Sequence, residues 1–179
     1  AGGVDMRGLS GISNLAVDSF EDIDNAGNAL VGNNISLRSR TGNVDNTGGL
    51  IQGTTGDVTV IAQQDVDNTA GTIAAGGVAR VRAVEGDVIV ESEVNRELVI
   101  VGEDGFIPQF DTELGERSSI TGTRAAIVEA GRDVSLLAGE IAGGNTRVTA
   151  GRDIRLGAVT ETDFQSGENQ RSSSTNTVG

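Results

Sequence analysis

The chain contains no Cys, His, Lys, Trp or Tyr, and only one Pro, one Met and four Phe. Each absence removes a class of chemistry. Without Cys and His there is no Ser–His–Asp triad, no Cys–His dyad and no ordinary zinc site. Without Lys there is no Schiff base and no P-loop lysine. All 13 basic residues are Arg, against 26 acidic residues, for a net charge of -13. That balance, with no Trp or Tyr to stack on bases, disfavours nucleic acid as a partner. It also opposes binding to anionic membranes. A chain without Cys carries no mark of redox compartment and is compatible with export. No apolar run is long enough for a membrane-spanning helix. Ala1-Gly2-Gly3-Val4-Asp5 has neither the basic nor the apolar region of a signal peptide.

What is present is aliphatic, small and repetitive. Leu, Ile, Val and Phe make up roughly a quarter of the residues, enough to expect a folded core. The 27 Gly follow no three-residue period, which excludes collagen. Ile23-Asp24-Asn25-Ala26-Gly27, Val44-Asp45-Asn46-Thr47-Gly48 and Val66-Asp67-Asn68-Thr69-Ala70 are one phrase at offsets of 21 and 22 residues. Leu15-Ala16-Val17, Ile35-Ser36-Leu37, Val58-Thr59-Val60 and Ala79-Arg80-Val81 alternate apolar and small or polar residues upstream of such phrases. A second phrase, Ala130-Gly131-Arg132-Asp133-Val134, returns as Ala150-Gly151-Arg152-Asp153-Ile154. Gly86-Asp87-Val88-Ile89-Val90 links the two halves.

A period of 2 inside a repeat of about 20–22 residues reads as short strands separated by turns. Asn, Asp and Gly suit those turns because they tolerate left-handed backbone at low cost. One coil cannot bury its own Val and Ile, whereas stacked coils bury them as columns and pair every strand edge. The expected fold is all-β: a right-handed parallel β-helix of about seven coils with one inserted hairpin or loop, on the order of 35 Å long. Residues 1–164 form the β-helix domain and 165–179 a flexible Ser/Asn/Thr-rich tail or linker. Stacking would place Asn25, Asn46 and Asn68 one above another as a turn ladder of amides. Turn chemistry is preferred to calcium binding for these residues, because neither a calcium-binding nonapeptide nor an EF-hand loop occurs.

These phrases resemble filamentous-haemagglutinin repeats, above all Asp45-Asn46-Thr47-Gly48-Gly49, Ala130-Gly131-Arg132-Asp133-Val134 and Ala150-Gly151-Arg152-Asp153-Ile154-Arg155-Leu156-Gly157-Ala158. The likeness covers roughly residues 22–160. Gly157-Ala158-Val159-Thr160-Glu161-Thr162 and the following Ser172-Ser173-Ser174-Thr175 resemble the Ser-rich stretch after such a repeat block. The resemblance implies a segment of a two-partner secretion exoprotein from a Gram-negative bacterium, secreted or held at the cell surface. It further implies a stalk presenting an adhesive or toxic distal domain, as in adhesins and contact-dependent growth-inhibition effectors. Its implied partners are an outer-membrane transporter during secretion and a host or target-cell receptor. A haemolysin or cytolysin of the same export type is the first alternative, and a glycan-cleaving β-helix enzyme the second.

Residues 91–119 break the repeat. Leu98-Val99-Ile100-Val101 and Phe106-Ile107-Pro108-Gln109-Phe110 flank Gly102-Glu103-Asp104-Gly105, the pattern of a hairpin leaving the rod. Insertions between coils often carry binding, so Phe106 and Phe110 are the candidate partner-binding residues. The competing structural role is a loop whose Phe pair covers an exposed column. The carboxylates Glu91, Glu93, Glu97, Glu103 and Asp104 could serve acid–base chemistry or calcium, but a carbohydrate groove usually needs aromatic platforms. Arg132 and Arg152 recur with the repeat beside Asp133 and Asp153, which favours a surface ladder worth at most about 1 kcal/mol per pair. No catalytic residue, no metal ligand, no cofactor and no small-molecule substrate are expected.

Overall fold

The computed structural model describes residues 3–5, 10–101, 107–167 and 170–178. Among the described residues every regular element is a β-strand. The chain winds into a parallel β-solenoid of about six turns. Seven short strands build one face in chain order: Val4–Asp5, Ile23–Asp24, Val44–Asp45, Val66–Asp67, Val88–Glu91, Val134–Leu137 and Ile154–Gly157. Seven such rungs bracket six full turns, in keeping with the expectation of about seven coils.

The rest of each coil lies in a longer parallel sheet. Ala29–Ser39 spans it as one strand. In the next coil the same path is split by a bend into Leu50–Gly53 and Val58–Ala62, and then into Thr72–Ala75 and Val78–Ala83. It becomes continuous again in Ser119–Ala130 and Glu140–Ala150.

Register aligns the apolar positions into columns. Ile23, Val44, Val66, Val88, Val134 and Ile154 stack on the short face. Leu30, Ile51, Ile73, Ile120 and Ile141 stack on the long face. Leu37, Val60, Val81, Val128 and Val148 form a third column. The internal members are fully buried, so one hydrophobic core runs the length of the stack. Each buried Val, Leu or Ile contributes about 1.5–3 kcal/mol through removal from water. Columns of one residue type also let neighbouring coils interdigitate without changing the backbone path. At the last described rung Ile154 and Leu156 are 47% and 74% exposed, since no further coil lies on them among the described residues.

The turn after the short strands at Ile23–Asp24, Val44–Asp45 and Val66–Asp67 takes left-handed backbone. Gly27 and Gly48 adopt φ of +64° and +61° there. Ala70 occupies the same turn at φ +53°, which costs an L-residue roughly 1–2 kcal/mol.

A third sheet departs from the rod. Val94–Val101 pairs antiparallel with Ile107–Leu114, which meets Val159–Gly167, which pairs with Gln170–Val178. Within the stretch 165–179, read from its composition as a tail or linker, 165–167 and 170–178 lie in this hairpin. Ser and Thr, which dominate Ser172-Ser173-Ser174-Thr175, do not oppose strand formation, and Thr favours it.

Candidate recognition hairpin and the ladders that carry it

The site is built on a polar corner of the coil. Asn25 Nδ2 donates to Asn46 Oδ1 at 2.7 Å, and Asn46 Nδ2 donates to Asn68 Oδ1 at 2.7 Å. All three side chains are completely buried. Each amide also closes its own turn: Asn46 Nδ2 reaches Gly49 O, and Asn68 Nδ2 reaches Gly71 O. Buried amides are tolerated only when hydrogen-bonded, and the coil repeat supplies the partner. The column leaves no room beside it. A Cβ at Gly49 would collide with the Asn25 carbonyl and Asn46 Oδ1, which explains Gly at that place. Asn25 Oδ1, at the outer end of the ladder, is buried without a donor.

The Asp of each phrase turns outward. Asp24, Asp45 and Asp67 accept the N–H two residues on, at 2.9, 2.8 and 2.9 Å. Such local capping is ordinary turn chemistry for Asp. Among the described residues no group of three or more carboxylates gathers in a metal-holding arrangement.

A second ladder begins just before each short strand. Asp22, Asn43, Asp65, Asp87 and Asp133 each accept the backbone N–H of the equivalent residue in the following coil. Arg132 and Arg152 do not pair with the Asp beside them in sequence. Arg132 reaches back to Asp87 at 2.8 Å and to Asp65 at 3.1 Å. Arg152 holds Asp133 with two bonds of 2.7 Å, and Arg155 adds a third contact at 2.8 Å. The Asp133 side chain is only 4% exposed. The Arg152 guanidinium, helped by the Asp153 N–H, holds the Asp133 carboxyl well below the usual range, against the opposing effect of burial. The same contact raises Arg152. Fixed spacing thus converts repeated Asp and Arg into bonds between coils.

The Asn ladder ends where the hairpin begins. Ser118 takes the next position: Asn68 Nδ2 donates to Ser118 Oγ at 3.1 Å, and Ser118 Oγ donates to Asn68 O. Ser118 N donates to Ser92 Oγ at 3.1 Å, and Ser92 Oγ donates to Ala138 O at 2.7 Å. Ser92 and Ser118 are both buried, so this pair bridges the gap left by the absent Asn. Between them the chain leaves and returns, closed by Glu93 N to Glu116 O and Gly115 N to Glu93 O, both 2.8 Å. Sequence reasoning missed both serines. The available signal was Ser118-Ser119-Ile120, which lies one rung above Thr72-Ile73.

On the hairpin, cross-strand register separates two faces. Leu98 lies opposite Phe110 on one face. Glu97 lies opposite Asp111, and Asn95 opposite Glu113, on the other. Leu98 and Phe110 are 54% and 61% exposed. Phe110 is not a member of the buried aliphatic cluster of the rod. Phe106, Glu103 and Asp104 lie outside the described residues. Glu91 stays with the rod, where its Oε1 accepts from Ser135 Oγ. Thr162 Oγ1 donates to the Phe110 carbonyl at 3.0 Å, and Leu114 N donates to Glu161 Oε1 at 3.1 Å, which ties the hairpin to the C-terminal one. Asn95, Arg96, Glu97, Asp111 and Glu113 line a shallow polar cleft. Within this hairpin Asp111 Oδ1 is buried with no hydrogen-bond donor.

The fold defines a β-solenoid with a lateral antiparallel sheet. No protein-family model, curated protein or solved structure matches the chain.

Proposed function

We propose that this chain is a stalk segment of a large secreted bacterial surface exoprotein, one that presents an adhesive or toxic distal domain to target cells. The observation that supports this reading is the stacking of apolar positions in register from coil to coil, which continues past the insertion. The Asn column and the Asp and Arg side chains before the short strands bond from rung to rung, so the repeat's chemistry maintains length and direction. A column-and-ladder rod transmits position without needing a reactive centre, and its reach scales with the number of coils.

Removal of one coil tests it. Deleting residues 44–65 joins Asn43 to Val66 and keeps the phrase, the register and both ladders. In the parent protein a stalk tolerates this loss: export, surface exposure and target-cell effect persist with the rod shorter by one rung of roughly 4.8 Å. Loss of the target-cell effect in a deletion that still folds and is still exported would overturn the stalk reading.

A further inference from the structure

Among the described residues the lateral sheet has two outer strands, Val94–Val101 and Gln170–Val178, each paired on one side only. In the order Val94–Val101, Ile107–Leu114, Val159–Gly167, Gln170–Val178, the first strand pairs on one side only. An unpaired edge presents a row of backbone donors and acceptors to any extended chain of suitable side-chain pattern. The pattern required is set by what flanks that edge.

On one face Leu98 and Arg96 stand at the edge; Leu98 is backed directly by Phe110, both more than half exposed, and Arg96 by Thr112. On the opposite face Glu97 and Asn95 stand at the edge, backed by Asp111 and Glu113. A strand added beside residues 94–98 sends alternate side chains to the two faces. Those on the first face meet Leu98. Those on the second meet Glu97 directly, and Asp111 lies one strand further in. Only a long side chain with donors at its tip crosses that distance. Asp111 Oδ1, buried and without a donor, is the atom such a group would satisfy.

We infer that the free edge at Val94–Leu98 is a docking site for an extended polypeptide strand that alternates apolar and long cationic residues. A second copy of this chain is disfavoured as the occupant. Pairing two of these strands would bring the acidic faces of Glu97, Asp111 and Glu113 together, on rods that each carry -13. The inference does not depend on the stalk reading, because the lateral sheet would dock a strand whatever the rod does.

The test uses a short acetylated, fluorescent peptide of alternating Lys and Val, titrated with the full chain at physiological salt and followed by polarisation. Saturable one-site binding is expected. N-methylation of the peptide's alternate amides, which removes its strand donors, should weaken it by about tenfold or more. Leu98→Ser and Asp111→Asn should each weaken it by a similar factor, with the melting temperature of the rod unchanged. A peptide of alternating Glu and Val should not bind. Equal binding of the N-methylated peptide would reduce the effect to adsorption on an acidic rod and overturn the inference. So would wild-type affinity in both variants, or a concentration-dependent dimer of the chain that excludes the peptide.

Discussion

The rod and the lateral sheet are made from the same kinds of residue but are stabilised differently. In the rod each apolar side chain has a like neighbour above and below, and the internal positions are fully buried. In the hairpin Leu98 and Phe110 lie opposite each other and stay exposed. Polar groups divide the same way. The rod's Asn46 amide makes bonds to the coils on both sides. The hairpin's Asp111 keeps an oxygen with no donor. Repetition satisfies groups that a single insertion leaves open, which is why the insertion is where a partner has something to gain.

Substitutions should separate the two regions, and the largest effect belongs to the core. Ile73→Ala removes the middle of the Leu30–Ile141 column and should cost about 2–5 kcal/mol in denaturant unfolding. Asn46→Ala comes next. It leaves Asn68 Oδ1 buried without its donor and should cost about 1–3 kcal/mol. A loss under about 0.5 kcal/mol would mean that the amide column adds nothing to the aliphatic ones.

A smaller effect depends on pH. The folded-state carboxyl of Asp133 ionises at lower pH than its ordinary value of 3.8, so its contribution is complete above about pH 4 and is lost as pH falls below that. Asp57, which accepts from Val78 N and Arg124, is lowered in the same direction. Melting temperature should fall with acidification through this range, and Asp133→Asn should flatten the fall. The smallest effect is expected on the hairpin. Leu98→Ser or Phe110→Ser should change rod stability by no more than about 0.5 kcal/mol, the usual range for exposed sites. A larger loss would show that the lateral sheet supports the rod.

Much of the rod was legible in the sequence because its signals are periodic. Ile23, Val44 and Val66 announce a column by their spacing alone, and the adjacent Asn25, Asn46 and Asn68 announce a corner. The two flanks of Gly102-Glu103-Asp104-Gly105 announced the hairpin's paired strands. Features between unlike residues were not legible. Nothing in Arg132-Asp133 says that Arg132 reaches back to Asp87 and Asp65 while Asp133 serves Arg152, since a long side chain chooses among carboxylates by position in space. Ser92 and Ser118 are distant in sequence and replace an Asn by sharing its bonds. The pairing of residues 165–167 with 170–172 was hidden by a composition that reads as a linker.

The sequence by itself determined the repeat, the strand period, the corner residues and the place where the rod is interrupted. These are local or recurrent, and a pattern of small, polar and β-branched residues encodes them directly. Tertiary structure alone decided which acid each Arg holds, how the broken Asn ladder is closed, and which hairpin side chains share a face. It also decided that the edge at Val94–Val101 stays open among the described residues, because an edge is defined by what fails to lie beside it in space, and spacing along the chain does not record that.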